Sequence, residues 1–354
     1  MPSIFVSAWV GAGNLGDELL FARLQAHLRA AGADDITVTS LDPAGTRALH
    51  GTDAIHPRDL IGTIRHVRRS DLVVIGPGGL LQDRSSPFNL PYQLHRAALA
   101  RLTRTPVLGI GLGADPMNRL GSGALLRLAL GGAHAIAVRD EASQQALAAH
   151  RVNAVTTTDL AAATPSPPAT DGSATLTVSL RPWRQGGRLP VRWQSHNLAP
   201  KQIEATAHAL DTIADTTGLA VRFVAFEPHT DHPLHEAVAA AMSAPASCCV
   251  PELHELLDLV ADSRAVIATR FHAGIVALVT GRPLALIGYA PKVTSLATAT
   301  GAPIVADDEA GLKQLPGALA DALAIGSEAS ANALAEMRTL DLSHADLIER
   351  ALQG

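Results

Sequence analysis

Short apolar runs rich in β-branched residues alternate with longer helical patterns along nearly the whole chain. Few folds accept that alternation, because it is the pattern of βαβ units and parallel sheets. In the first half the runs are IFVSAW (4–9), ITVTS (36–40), LVVIG (72–76), PVLGI (106–110), AIAV (135–138) and AVTTT (154–158). Between the first two, the stretch DELLFARLQAHLRAAG repeats apolar residues at helical spacing and closes on Gly32, a helix stop. The segment TPSPPATDGSA (164–174) has three prolines and no periodicity, and reads as a linker. A second alternation follows, with TLTVSL (175–180), AVRFVAF (220–226), AVIAT (265–269) and PLALIG (283–288), then an Ala-rich amphipathic stretch of closing helices. The expected fold is therefore α/β: two doubly wound, Rossmann-like domains, residues 1–165 and 174–354, facing a cleft. In such sheets ligands sit beyond the carboxyl ends of the strands, so the turns that follow the strands should carry the chemistry.

Bulk properties exclude several classes. With 354 residues, 47% hydrophobic and 17% charged, the chain can bury two ordinary cores and is not disordered. A net charge of -5 with scattered basic residues argues against a nucleic-acid partner. The one dense basic cluster, Arg65, His66, Arg68 and Arg69, reads as a solvated helix end, with docking on anionic lipid as the alternative. No apolar stretch reaches the roughly 20 residues that span a bilayer, and no secretory signal opens the sequence, so a cytoplasmic protein is expected. Its only cysteines, Cys248 and Cys249, are adjacent, a spacing that disfavours a disulfide and fits a reducing compartment.

The first glycine turn raises a specific question. Gly11, Gly13 and Gly16 spell the dinucleotide fingerprint between a strand and a helix, and Asp42 is a late candidate for holding a ribose. However, Asp17 and Glu18 occupy the first helical turn, where a cofactor pyrophosphate would lie, and would repel it. An acidic turn suits a neutral, hydroxyl-rich ligand such as a sugar. Asn14 and Asp17 can equally act as helix caps. Two further glycine turns, at 76–79 ahead of Gln82 and Asp83 and at 109–113, show that backbone approaches something closely at this sheet edge.

The second half supplies positive charge at strand ends: Arg181 and Arg184 around Pro182 and Trp183, Arg270 and His272 after the AVIAT run, and Lys292 after IGYAP. Together they can bind a doubly anionic small molecule and move a proton near neutral pH. Arg139 and Asp140 are expected to pin a helix start to its strand.

The segments GAGNLGDE, GGLLQD, VRDEAS, VSLRPW, RFHA and GYAPK, in this order, resemble the polysaccharide pyruvyl transferase family, most nearly its bacterial cell-wall (CsaB-like) branch. The resemblance implies a GT-B-like fold and transfer of pyruvate from phosphoenolpyruvate to a sugar as a ketal. It also implies donor binding by Arg181, Arg270, Phe271 and Lys292, and His272 as general acid. Acceptor binding falls to Asn14, Gln82 and Asp83, with Asp17 or Asp83 as base. Phosphoenolpyruvate is a substrate, so no cofactor is expected, and no sequence spacing suggests a metal. The branch implies an N-acetylmannosamine-containing, lipid-linked acceptor and at most peripheral membrane contact. Two departures are Pro77 inside a glycine run and Ala290 where the family carries an acidic residue. The alternatives are a GT-B glycosyltransferase or nucleotide-sugar epimerase, and a non-catalytic sugar-binding relative.

Overall fold

The computed structural model describes residues 1–84, 86–168, 171–182 and 200–353. Trp183 and Arg184 lie outside the described residues.

The chain divides into two compact units, 1–163 with 337–354, and 164–336. Each is built on one parallel sheet. The first contains β1 (Ser3–Val10), β2 (Asp35–Ser40), β3 (Asp53–Ile55), β4 (Leu72–Ile75), β5 (Gly78–Leu81), β6 (Val107–Ala114), β7 (Ala135–Val138) and β8 (Val155–Thr156). Its order is β3-β2-β1-β4-β6-β7-β8, with β5 paired separately on β6. The second contains β9 (Thr175–Ser179), β10 (Ala220–Val224), β11 (Ala246–Cys249), β12 (Ala265–Ala268), β13 (Leu284–Gly288) and β14 (Ile304–Ala306), in the order β11-β10-β9-β12-β13-β14. In both sheets the first strand lies inside and the chain reverses direction next to it, between β1 and β4 and between β9 and β12. That reversal is the switch point at which doubly wound sheets bind ligands.

The central strands read as unbroken apolar runs because helices cover both of their faces. Leu72, Val73, Val74 and Ile75 are all fully buried, as are Ala265, Val266, Ile267 and Ala268. Every strand expected from the sequence forms. Four others, β3, β5, β11 and β14, were not expected. Cys248 and Cys249 are free thiols on β11, where consecutive side chains leave opposite faces of the strand.

The closing helices do not all stay with the second unit, as the 174–354 expectation had them. The last helix, Glu328–Gln353, begins in the second unit, and its residues from Met337 onward pack with the first. There Arg338 Nε donates to the Ala162 carbonyl at 3.2 Å, and His344 Nε2 lies 2.8 Å from Thr157 Oγ1.

Candidate functional site

At the switch point of the first unit, β1 runs into Gly11 (φ +73°), where a side chain would collide with Ser40 Oγ and the backbone of Asp42. Asn14 caps the helix Leu15–Ala30, its Oδ1 accepting from Gly16 N–H at 3.0 Å. Glu18 reaches back from the first helical turn and accepts the Gly11 N–H at 2.8 Å, while its other oxygen lies 2.7 Å from Nε2 of buried His50. Two backbone donors of this turn are therefore held by the protein's own side chains. A pyrophosphate bound at this turn would have to displace them. Asp42, the candidate ribose ligand, caps the helix Pro43–His50 by accepting from Gly45 N–H at 3.0 Å.

Asp17 is half-buried and faces the glycine turn after β4. A Cβ on Gly78 would stand 3.6 Å from Asp17 Oδ1. That turn has φ +106° at Gly76 and +116° at Gly78, conformations that glycine adopts readily, with Pro77 between them. A side chain at Gly76 would run into the Ile110 carbonyl. The structure thus brings Asp17 and Gly78 together.

Gln82 and Asp83 follow β5. Gln82 is half-buried, and its carbonyl accepts from Asn89 Nδ2 at 2.8 Å. Asp83 is buried and folds the loop before the helix Ser122–Leu130: its carboxylate accepts from Asn118 N–H (3.0 Å), Arg119 N–H (2.8 Å) and Ser122 Oγ (2.8 Å). Burial pushes its pKa up, but the Arg119 and Asn118 amides and the Ser122 hydroxyl outweigh this and hold it below the usual carboxylate value. A carboxylate so stabilised is a weak base, and Asp83 is better described as a loop clamp than as an acceptor ligand. Arg139 and Asp140 behave as expected: Asp140 caps the helix Glu141–Ala148 through Ser143 N–H at 2.7 Å and pairs with Arg139 Nε at 3.1 Å.

At the second switch point the residues after β9 and β12 are tied together. Thr269 N–H donates to the Ser179 carbonyl (2.9 Å), and Arg181 N–H donates to Thr269 Oγ1 (2.7 Å). The Arg181 guanidinium lies over the Tyr289 ring, 5.3 Å from its centroid, and Nη1 donates to the Tyr289 hydroxyl at 3.0 Å. Its Nε is buried with no hydrogen-bond partner among the described residues.

Arg270, 7% exposed, precedes the helix Phe271–Val279. Its Nε donates to Asp231 Oδ1 at 3.1 Å. Its Nη2 donates to Glu227 Oε2 (2.8 Å) and Thr230 Oγ1 (2.9 Å), and also bonds Asp231. Burial alone would push the guanidinium down, but Asp231 and Glu227 reverse this and hold it above its ordinary value. Glu227, raised by burial, is brought below the usual range by Arg270 and, more weakly, by Arg181. The fork expected to meet the donor is therefore closed on protein carboxylates, and Nη1 is what Arg270 can present to a ligand.

His235 supports the same corner from beneath. It is fully buried, stacked on Phe223 at 5.1 Å, with Nε2 between the N–H (3.1 Å) and C=O (2.9 Å) of Leu180, and burial pushes its pKa down to about 4. His272 is half-buried in the first turn of its helix, 5.4 Å from the ring of buried Phe271. Lys292 is half-buried at the start of the helix Pro291–Thr300, which Ala290 precedes without a side-chain cap. Sequence reasoning did not assign Tyr289, Glu227, Thr230, Asp231 or His235. Tyr289 stood within a quoted motif, and Glu227 and Asp231 had the form of ordinary helix-start acids.

Residues 14–291 match the family model described as polysaccharide pyruvyl transferase. The chain belongs to the polysaccharide pyruvyl transferase family. As a member, it is an enzyme with a saccharide acceptor. No curated protein matches the chain closely enough to name. Among solved structures it is similar to MnaA of S. aureus in complex with UDP, at 10% identity and a TM-score of 0.60 over 98% of both chains. It is also similar to the UDP-GlcNAc 2-epimerase of Neisseria meningitidis, at 11% identity and TM-score 0.58 over 96% of this chain and 100% of that one. The spinosyn rhamnosyltransferase SpnG, complexed with thymidine diphosphate, matches at 15% identity and TM-score 0.55 over 99% and 100%. These likenesses establish the GT-B-like fold. Among the described residues no helix is long and apolar enough to cross a membrane.

Proposed function

We propose that the protein transfers pyruvate from phosphoenolpyruvate to a sugar as a ketal, releasing phosphate. We place it in the cell-wall branch of the family, acting in the cytoplasm on an N-acetylmannosamine-containing, lipid-linked precursor of a secondary cell-wall polysaccharide. The cationic corner at the second switch point carries this reading. Arg181, Nη1 of Arg270 and Lys292 would hold the phosphate and carboxylate of the donor, with Phe271 beside them, and such fixed charges supply the largest part of the rate. His272 would deliver a proton to the methylene carbon, leaving an oxocarbenium-like centre. Two sugar hydroxyls then add as the carbon–oxygen bond to phosphate breaks. One hydroxyl proton balances the new methyl group and the other leaves with phosphate. Asp17, rather than Asp83, would take the proton from the attacking hydroxyl, with Asn14 and Gln82 on the acceptor side.

A peripheral membrane position for the lipid-linked acceptor is supported by the helix Leu60–Arg69. Leu60, Ile61 and Ile64 are exposed to 60%, 73% and 44% on its solvent side, where Arg65, Arg68 and Arg69 are exposed as well. Apolar side chains flanked by arginines suit an anionic bilayer surface, at about 1 kcal/mol per basic residue. Co-sedimentation with phosphatidylglycerol vesicles, but not with phosphatidylcholine vesicles, should occur and should fall in Ile61→Ser.

The solved relatives favour a second reading, because their complexes hold UDP or thymidine diphosphate. One experiment separates the two. Phosphoenolpyruvate should raise the melting temperature, and incubation with hexosamine disaccharides should release phosphate and give a product heavier by one pyruvyl ketal. Stabilisation by UDP and not by phosphoenolpyruvate would reject the transferase reading for the nucleotide-sugar one.

A further inference from the structure

Away from both switch points, three side chains from opposite ends of the sequence converge. His27 stands in the last turn of the helix Leu15–Ala30, and Asp341 and His344 are three residues apart on one face of the helix Glu328–Gln353. His27 Nε2 is 2.9 Å from Asp341 Oδ2, and His344 Nδ1 is 3.1 Å from Asp341 Oδ1. One ligand atom from each of the three lies within 4.8 Å of the other two. Asp341 and His344 are buried, and the His27 side chain is 11% exposed.

The hydrogen-bond directions decide what these atoms offer. The Thr157 hydroxyl has a single proton, and it donates that proton to the Val138 carbonyl at 3.1 Å. With the His344 proton on Nε2, its 2.8 Å contact with Thr157 is an N–H donated by the ring. In the neutral ring, Nδ1 then carries a lone pair aimed at the Asp341 carboxylate. His27 Nε2 is also buried against that carboxylate, 2.9 Å from Asp341 Oδ2. Two ring nitrogens thus converge on one buried anion, an arrangement that a cation between them satisfies.

We infer that His27, Asp341 and His344 form a binding site for a first-row divalent transition metal ion, zinc(II) fitting best. Zinc takes nitrogen and oxygen ligands at about 2.0–2.1 Å, so tetrahedral neighbours stand about 3.3 Å apart. The ring nitrogens stand 2.9 and 3.1 Å from the two different oxygens of Asp341, and one ligand atom from each residue lies within 4.8 Å of the others, so side-chain rotations must bring three of these atoms to that spacing around the ion. Two imidazoles and one carboxylate leave a fourth position for water. Thr157 fixes the ring and tautomer of His344, the part that outer partners play at metal sites. Because two ligands come from the 337–354 segment and one from the body of 1–163, the ion would fasten that segment to the first unit. No spacing in the sequence could show this, since no two of the ligands are closer than the Asp341–His344 pair and the third is almost a chain length away.

The test uses full-length, tag-free protein, stripped with chelator and titrated with zinc(II) by calorimetry and thermal melting, and with cobalt(II) by visible absorption. One equivalent should bind, the melting temperature should rise with zinc, and bound cobalt should show a tetrahedral or five-coordinate spectrum. His27→Gln, at the rim of the cluster, should fold and bind zinc at least tenfold more weakly. Thr157→Val, which touches no ion, should weaken binding about 10- to 100-fold. A wild-type protein that takes up no zinc would overturn the proposal. So would a zinc-induced shift of equal size in wild type and His27→Gln.

Discussion

The two sheets share a strand order and a switch point, yet their ligand edges have opposite character. At the first, the side chains nearest the turn are Asn14, Asp17 and Glu18, and two of the turn's amide donors are already engaged by Asn14 and Glu18. At the second, the corresponding corner carries Arg181, Arg270 and His272, and its strongest cation is held between two carboxylates. The backbone therefore determines where ligands can sit, and a few side chains at the strand exits determine which charge is welcome there. Under the proposed function the first edge would meet the sugar and the second the phosphoenolpyruvate.

The comparison breaks most visibly at Arg270. Arg270→Ala leaves buried Asp231 and half-buried Glu227 without their partner and should destabilise the second unit by about 3 kcal/mol. Adding Asp231→Asn should restore part of that loss. Urea unfolding of both variants checks it, and wild-type stability in the single variant would mean that the charge cluster does not hold this corner.

His235 gives the next largest effect, through pH. Its pKa is 6.5 when unfolded and about 4 when folded, so the unfolded chain binds more protons between those values. The linked stability is complete above pH 6.5 and is lost as the pH falls through 4, by about 3 kcal/mol in total at about 1.4 kcal/mol per pH unit. His235→Gln should flatten the stability profile over this window, as chemical denaturation at pH 7 and 4.5 would reveal.

His272→Gln sharpens the cationic side. It should leave phosphoenolpyruvate binding intact while turnover falls at least about 100-fold. Retained turnover with a loss of about 1 kcal/mol in stability would instead make His272 a helix-start residue.

Asp17→Asn probes the other edge and should give the smallest change. It keeps the helix start and should spare phosphoenolpyruvate affinity, lowering turnover by about 100-fold, at the low end of what a positioned base contributes. Weakened donor affinity in this variant would abolish the division of roles between the two edges.

Much of this was legible in the sequence, for a physical reason. Central strands covered on both faces are rich in apolar and β-branched residues, so β1, β4, β9 and β12 announce themselves, and the turns after them follow. The four strands that did not are poor in that signal. β3, β11 and β14 are short strands at sheet edges, and β5 begins with two glycines that read as part of a turn. The site divides in the same way. Arg181, Arg270, His272 and Asp17 stand at strand exits and could be found by position. What each one touches could not: Arg270 meets Asp231 and Glu227 from 39 and 43 residues away, and Asp83 clamps amides 35 and 36 residues on. A carboxylate at a helix start has the same local pattern whether it faces water or a buried guanidinium.

The last helix has a consequence for how such a protein can change over generations. Residues 337–354 lie with 1–163, so the second unit is an insertion within the first, entered at Ala163–Thr164 and left at Glu336–Met337. A recombination event with one junction in the linker would join a foreign terminal helix end to the first unit, placing unrelated side chains against Thr157 and Ala162. Trading the second unit between relatives while keeping that packing requires two crossovers, the second inside a continuous helix where helical phase must also be kept.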